Sequence, residues 1–519
     1  MPTTPVMCGG NTMKRFLLTG FSALVLAGCT VGPEYKKPQV VSPATWRATQ
    51  GLAQSQVTTA KTAPQWWALF HDPMLTRLEN EVAASNLDLK VASLRFMQSQ
   101  AEKRIASAAQ MPNIDGNASY GRERASTNGV LGLLGTMERE QAGSIASGMP
   151  GFGPTALPGS VGNPSFNLPQ YGMNASWEVD FWGHVRRQVE AASAAMQATE
   201  DMRRDMLVSL MAETAQDYIE LRAIQTQIGI LEHNIAVVAE SVRLTRMRLE
   251  QGAATQLDVA EATGQLHSFT ARLAPLQAQA THMLNALSFL IAREPGTLDA
   301  ELGKPAAIPS LPVAVPLGLP SELAERRPDI RMAADKLHAA TASVGVAIAD
   351  FFPRVTLSGS LDVQALQFSG LGSWASRQYG FGPTATLPIF EGGRLTGQLH
   401  LRKAQQQEAA TQFQRTVLKA WQEIDDAMAD FTAAQKRRDE LAEAVQQNEI
   451  AVATARAQYL QGASDFLNVL TLQNALLSSQ SALANATAYS AASVTRLYRA
   501  VGGGWEAFYP EQHITKNHS

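Results

Sequence analysis

Leu249–Val259 has the sequence LEQGAATQLDV, and Tyr459–Val469 has the sequence YLQGASDFLNV. The two stretches follow one pattern, in which a glycine ends one segment and a second segment begins three residues later. Because glycine readily adopts the left-handed conformation that ends many helices, Gly252 and Gly462 are predicted to end a helix and turn the chain back. The sequence therefore predicts two related helical hairpins.

The duplication extends outward from these turns. Gly183 corresponds to Gly393 at the same spacing, and Pro112 corresponds to Pro353 farther upstream. The first copy carries an insertion within residues 122–170, a stretch rich in Gly, Pro and Ser that is predicted to be a long surface loop. The chain is thus predicted to consist of two tandem copies of one structural unit.

Each copy is predicted to contain a helix, two strands, a very long helix, a tight turn and a shorter helix. The long helices are expected over residues 183–251 and 394–461, and each would measure roughly 100 Å at 1.5 Å per residue. Apolar positions in the first one alternate in steps of three and four, as in supercoiled helices; they include Leu221, Ile224, Ile228, Leu231, Ile235, Val238 and Val242. Shorter helices are expected over residues 74–110, 255–292, 328–350 and 465–501.

Four segments alternate apolar and polar residues and are predicted to be strands: 112–121, 171–181, 353–364 and 379–390. This alternation is typical of a membrane barrel, although a soluble sheet with one face on a core shows it too. The long helices favour the barrel, because they leave no compact core to cover such a sheet. Aromatic residues near the strand ends fit either an interfacial girdle or plugs between helix and strand.

Four strands are too few for a closed barrel, since small barrels need about eight. An open edge in lipid leaves unpaired backbone N–H and C=O groups, each costing several kcal/mol. Several copies of the chain are therefore expected to share one barrel, and two, three or four copies all satisfy this argument.

The N-terminus is predicted to be a signal peptide, with Lys14 and Arg15 before the apolar stretch 16–26. It ends in Leu-Ala-Gly-Cys at residues 26–29, which resembles a bacterial lipobox and predicts acylation of Cys29. An ordinary secretory signal is the alternative, and Met13 is a candidate initiator. No other apolar run is long enough to predict a transmembrane helix.

Composition argues against several functions. The chain has 519 residues, 17% of them charged, with a net charge of −3, so nothing suggests nucleic-acid binding. Its nine histidines are scattered, and no metalloprotease motif, nucleophile elbow or phosphate loop is present. We expect neither an enzyme nor a cofactor or metal site, and we interpret Gly502–Gly504 as a linker.

Several motifs together resemble the outer-membrane efflux proteins, specifically their lipoprotein (NodT-type) branch. They are Gly28-Cys29-Thr30-Val31-Gly32-Pro33, Trp66-Trp67 with Phe70 and Asp72-Pro73, Arg327-Pro328-Asp329-Ile330-Arg331, Phe352-Pro353, and Pro388-Ile389-Phe390-Glu391-Gly392-Gly393-Arg394. The resemblance implies a mainly α-helical chain that forms a trimer, with a twelve-stranded outer-membrane β-barrel built from four strands per chain and continued by a long periplasmic α-helical barrel. It also implies lipid anchoring in the outer membrane, with the protein extending into the periplasm.

The resemblance further implies partners and a function. The partners would be a periplasmic adaptor protein and an inner-membrane transporter of the resistance–nodulation–division class. The channel would be a passive exit duct for drugs or other small molecules. Two alternatives are kept: an exit duct for a protein-secretion system, and a lipid-anchored coiled-coil spacer without a pore, which the alternating strands disfavour.

The expected organisation follows from the repeat and the resemblance. The segments are a signal peptide (1–28), a lipidated N-terminal segment (29–73), repeat 1 (74–292), a linker or equatorial region (293–320), repeat 2 (321–501) and a C-terminal tail (502–519). Gly183, Pro388 and Gly393 are expected at the junction of barrel and helices.

Two interpretations apply to the hairpin tips. Thr255 and Asp465 are plausible N-caps, with Asp258 completing a capping box. The resemblance instead implies a periplasmic gate, in which Asp258 and Tyr459 link across helices. The positions of its acidic ring hold Asn468 and Thr471 here, so that acidic pair is missing. The candidate gate residues are Asp258, Glu261, Tyr459, Asp465, Asn468 and Thr471.

Overall fold

The computed structural model describes residues 30–39, 57–58, 60, 62–124, 165–312, 315–316, 318 and 326–509. The predicted signal peptide, Cys29 and most of the predicted loop 122–170 lie outside these residues. The same is true of most of the predicted C-terminal tail.

The helices follow the predicted order. They are α1 (Pro73–Ser85), α2 (Leu87–Ala108), α3 (His184–Glu250), α4 (Gln256–Leu290), α5 (Asp299–Leu302), α6 (Pro328–Ala349), α7 (Arg394–Leu460) and α8 (Phe466–Val501). The helices α3 and α7 contain 67 residues each, so each spans roughly 100 Å as predicted. Among the described helices, no segment combines the length and the apolar character needed to cross a bilayer.

One helix prediction was wrong, because residues 74–110 form two helices. The break lies at Asn86, whose side-chain oxygen accepts a hydrogen bond from Leu89 N at 3.0 Å. Its side-chain nitrogen donates to Leu290 O at 2.8 Å. The side chain thus occupies the N-cap position of α2 while tying this point to the end of α4.

The described strands are β1 (Val57–Thr58), β2 (Asn113–Glu123), β3 (Phe166–Glu178), β4 (Val315–Pro316), β5 (Arg354–Gln364) and β6 (Arg377–Thr386). Four of them form an antiparallel sheet in the order β2-β3-β5-β6, and β1 pairs in parallel with β4. The four predicted barrel strands are therefore present, with ends shifted by up to a few residues. The strand β6 ends at Thr386, shortly before Pro388, which has no N–H for a ladder.

The chain divides into two compact units. The first comprises residues 1–34, 103–191 and 341–403, and the second comprises residues 35–102, 192–340 and 404–519. Each unit combines segments from both sequence copies. The first unit holds the four-stranded sheet, and the second unit holds the main apolar core.

The core of the second unit is organised by the short helical turn Trp66–Phe70. The ring of Trp66 stacks on Tyr498 of α8 at 5.4 Å, and Trp67 stacks on Phe508 at 5.9 Å. Both tryptophans are almost completely buried. This explains why the Trp-Trp pair stands before the first helix: it anchors the N-terminal segment against the last helix.

The interpretation of Gly502–Gly504 as a linker was wrong. All three residues are buried, and Gly502 (φ 72°) and Gly504 (φ 114°) adopt conformations that favour glycine. A Cβ at Gly504 would lie 2.9 Å from Nε1 of Trp66. The glycines therefore permit close packing that brings Trp505, which is 2% exposed, into the core.

Candidate functional site

The four-stranded sheet has two chemically different faces. The cross-strand register places Tyr171 beside Val363 and Met173 beside Leu361, whereas Asn174 lies beside Ser360. One face carries large apolar residues that are between 37% and 85% exposed: Ile114, Tyr120, Tyr171, Met173, Trp177, Leu357, Leu361, Tyr379 and Phe381. The other face carries Asn113, Asp115, Asn117, Ser176, Ser358, Asp362, Gln378 and Thr384. Exposed apolar surface of this extent indicates a contact with lipid or protein.

The sheet also has two open edges. Within the described residues, β2 pairs with β3 alone and β6 pairs with β5 alone. Unpaired edges are uncommon on long strands unless another element covers them. The sheet thus has both an uncovered face and two unpaired edges.

Gly183 lies at the transition from β3 to α3 with a φ of 83°. A Cβ at this position would lie 2.5 Å from Cγ2 of Thr30, so the glycine allows the N-terminal segment to lie against the start of α3. Val31 N donates to Trp182 O at 3.0 Å, and the guanidinium of Arg187 donates to Val31 O at 3.4 Å. The residue that follows Cys29 is therefore held at this transition.

The second copy has a matching transition. Pro388 follows β6 and Gly393, with a φ of 86°, directly precedes α7. The ring of Trp182 from the first copy stacks on Phe352 at 4.8 Å, and its Nε1 donates to Pro353 O at 3.0 Å. These aromatics plug the transition, yet Trp182 stays 36% exposed, so it combines both roles that the sequence left open.

The two hairpin turns have nearly the same backbone. Gly252 and Gly462 have φ values of 70° and 74°. Ala253 N donates to Arg248 O at 2.8 Å, and Ala463 N donates to Gln458 O at 2.9 Å. The predicted left-handed glycine at both turns is confirmed.

The helices after the turns begin differently. The hydroxyl of Thr255 accepts from Asp258 N, and the Asp258 carboxylate accepts from Thr255 N at 2.7 Å, which confirms the predicted capping box. Asp465 occupies the N-cap position of α8, but its side chain accepts no capping hydrogen bond. The first tip is therefore tied locally, and the second is not.

A small apolar cluster joins the two tips. The ring of Tyr459 packs on Phe466 at 5.2 Å, and both are at least nine-tenths buried. The cluster also contains Val242, Ala262, Ala455, Val469 and Leu470. It thus includes residues from α3, α4, α7 and α8.

Arg248 adds a polar contact that sequence reasoning missed. Its Nη1 donates to Tyr459 O at 3.1 Å, and its guanidinium lies 4.6 Å from the centre of the Tyr459 ring. The position offered a signal, because the corresponding residue in the second copy is Gln458. A charged residue in only one of two duplicated turns indicates a role specific to that turn.

The remaining candidate gate residues are placed near this cluster but not in contact with one another in the described hydrogen bonds. Asn468 donates to the Ser464 hydroxyl at 3.2 Å, and Thr471 donates to Leu467 O at 2.8 Å. Both are exposed, and Glu261 is half-buried on α4. The Tyr459 hydroxyl is buried without a partner in the described part of the chain. The predicted Asp258–Tyr459 link therefore stays a prediction for the assembled protein.

Three amide pairs continue the contact between the hairpins away from the tips. They are Gln265–Asn474 at 2.7 Å, Asn234–Gln480 at 3.0 Å and Gln227–Asn485 at 2.7 Å. Each pair joins a helix of the first hairpin to α8. The first hairpin is thus connected to α8 along much of its length.

A polar cleft of about 520 Å³ in the second unit contains a perturbed carboxyl group. Burial raises the pKa of Asp335 to about 6, and the negative charge of Asp201 raises it further, while Arg331, His338 and Lys37 oppose the shift. In the described residues, no group of three or more His, Cys, Asp or Glu side chains could hold a metal ion.

An uncovered sheet with one apolar face, joined to two helical hairpins of this length, defines the class of outer-membrane channel proteins. The family model for "Outer membrane efflux protein" matches residues 78–293 and 319–503. The chain belongs to this family. The fold class and the function as an outer-membrane efflux channel that the sequence predicted are confirmed.

Individual relatives agree. The chain is 30% identical over 500 residues to the toluene efflux pump outer membrane protein TtgC of Pseudomonas putida, covering 95% of this chain and 96% of the relative. It is 29% identical over 484 residues to the outer membrane protein OprJ of Pseudomonas aeruginosa, covering 93% and 95%. The solved outer-membrane channel OprN is 31% identical, with a TM-score of 0.81 over 92% of this chain and 100% of that structure.

Proposed function

We propose that three copies of this chain close a twelve-stranded barrel in the outer membrane, which continues into a periplasmic tube made of the long hairpins. The exposed apolar face of an open four-stranded sheet carries this proposal. Assembly of three chains pairs every β2 edge with a neighbouring β6 edge, so that all backbone groups in lipid are satisfied. The apolar face then contacts lipid and the polar face lines the lumen.

Cys29 anchors the assembly through attached acyl chains. The contacts of Thr30 and Val31 with Gly183 and Trp182 support this, because they hold the acylated residue beside the end of the barrel strands. Partly exposed aromatic rings, including Trp182, are typical of the membrane interface. Acylation at this position would place lipid chains where the protein meets the bilayer.

The hairpin tips form the periplasmic gate and the docking site for a periplasmic adaptor, which connects the channel to an inner-membrane transporter of the resistance–nodulation–division class. Among the described residues, nothing lies within 4 Å of the position that a Cβ would take at Gly252 or Gly462, so a partner has room to approach both turns. Drugs or other small molecules leave passively through the lumen. In the closed trimer, Asp258 and Tyr459 link neighbouring helices.

The assembly is tested by two measurements on detergent-purified protein. Native mass spectrometry is expected to give three copies of the chain, and planar bilayers containing the protein are expected to conduct ions. A Cys29→Ser variant should keep both properties but lose the mass of the acyl chains. A stably folded monomer without conductance would refute the proposal.

A further inference from the structure

The polar face of the four-stranded sheet carries an excess of acidic side chains. The register places Asp115, Glu178 and Asp362 on this face, together with the base Arg354. Arg354 lies at the helical end of β5, where its guanidinium donates to Asp350 at 2.9 Å and approaches Glu178 at 4.0 Å. Its charge is therefore engaged at that end of the sheet, away from Asp362.

Asp362 lies on a row in which Asn117, Gly172, Asp362 and Gln378 occupy adjacent strands. A Cβ at Gly172 would lie 2.0 Å from Oδ1 of Asp362, so the carboxylate fills the space that the glycine leaves. The residue is only 9% exposed, and this oxygen is fully buried. The side chain thus lies flat on the sheet over its neighbour.

No protein donor in the described residues reaches Oδ1 of Asp362. The nearby amides are engaged elsewhere, since Asn174 donates to Asn117 at 3.2 Å and Gln378 donates to Gln364 at 3.1 Å. A buried carboxylate oxygen without a donor is destabilising, and a bound cation offsets this cost. Asp115 differs, because it is exposed and accepts a hydrogen bond from Asn113 at 2.6 Å.

We propose that Asp362, seated over Gly172, is a cation contact point in the barrel lumen and that the channel favours cationic over anionic solutes. This inference rests on the proposed function, because the polar face lines a lumen only when the barrel is closed. Three symmetry-related carboxylates at one level of a pore attract cations and repel anions, as acidic rings do in cation channels. The solutes concerned are inorganic cations and small organic ammonium compounds.

The test uses the full-length trimer in planar bilayers with a potassium chloride gradient. The reversal potential gives the ratio of potassium to chloride permeability for the wild type and for Asp362→Asn, Asp115→Asn and Asp465→Asn. The wild type is expected to prefer potassium, and Asp362→Asn is expected to lower the ratio by about twofold or more near 10 mM salt, where the Debye length is about 30 Å. At 1 M salt, with a Debye length of about 3 Å, the difference should shrink.

The variants separate the possible origins of selectivity. A larger loss with Asp362→Asn than with Asp115→Asn or Asp465→Asn supports the proposal. An unchanged ratio in Asp362→Asn, or an equal loss in Asp115→Asn, overturns it, and a loss confined to Asp465→Asn places selectivity at the helical tip instead. Native mass spectrometry checks that each variant is still trimeric. Wild-type protein without conductance would overturn the proposed function itself, whereas pores with unaltered selectivity overturn only this inference.

Discussion

Replacing Arg248 by alanine is expected to loosen the contact between the two hairpin tips. The substitution removes the hydrogen bond from Nη1 to Tyr459 O and the contact with the Tyr459 ring. A hydrogen bond from a charged donor contributes about 1.5–3 kcal/mol, and an exposed cation–π contact contributes about 0.5–1 kcal/mol. Because Arg248 is only half-buried, the lower ends of these ranges apply, which gives about 2 kcal/mol per chain.

The consequence for the gate depends on whether the three chains move together. About 2 kcal/mol changes an opening equilibrium roughly thirtyfold for one independent chain. If three tips open in concert, about 6 kcal/mol is lost, which exceeds the roughly 5.5 kcal/mol needed to convert a 1:99 equilibrium into 99:1. Concerted opening therefore predicts a channel that is mostly open, and independent opening predicts intermediate conductance levels.

Single-channel recording in planar bilayers measures both quantities. Arg246→Ala is the matched control, because Arg246 is exposed on the same helix two residues earlier. Tyr459→Phe is a second control, since it keeps the ring and the backbone oxygen. Open probability in Arg248→Ala equal to that of Arg246→Ala would refute the role of this contact. A strong effect of Tyr459→Phe would instead show that the hydroxyl has a partner in the trimer, as the predicted link with Asp258 requires.

Three further predictions concern stability. Gly504→Ala should lower the melting temperature, by roughly 1–3 kcal/mol of backbone strain plus the clash with Trp66, whereas Gly397→Ala on α7, with open space around it, should not lower it. Asp335→Asn should raise the melting temperature above pH 6 and leave it unchanged below about pH 4: because the raised pKa of about 6 favours the protonated carboxyl in the folded chain, the wild type loses stability as the pH rises through that value, and equal melting curves at pH 8 would contradict this. Thr255→Ala should cost about 1 kcal/mol and speed hydrogen exchange in the first turn of α4, while Asp465→Ala should leave the first turn of α8 unchanged, since only Thr255 makes a capping hydrogen bond; equal exchange rates in both variants would argue against this.

The sequence was sufficient for features that depend on periodicity and on glycine. Repeats of three and four residues located α3 and α7 to within one or two residues, and left-handed glycines located both turns. It failed where tertiary contacts decide. Asn86 breaks a helix because its side chain reaches Leu290, and Gly504 packs against Trp66 although glycine runs are typical of linkers. Neither partner is near in sequence, so no local pattern reveals it.

The duplication explains why the tip contacts are uneven. Both turns keep the glycine that the backbone requires, but the first copy holds the capping box and Arg248, while the second copy has Gln458 and an unbonded Asp465 at the equivalent places. The start of α8 is therefore held less by its own turn than by Phe466 and by its contacts with the first hairpin. A perturbation of Arg248 should thus displace the second turn more than the first. Distances between spin labels on Ala253 and Ala463 in neighbouring copies would show this, and equal displacement of both turns in Arg248→Ala would argue against it.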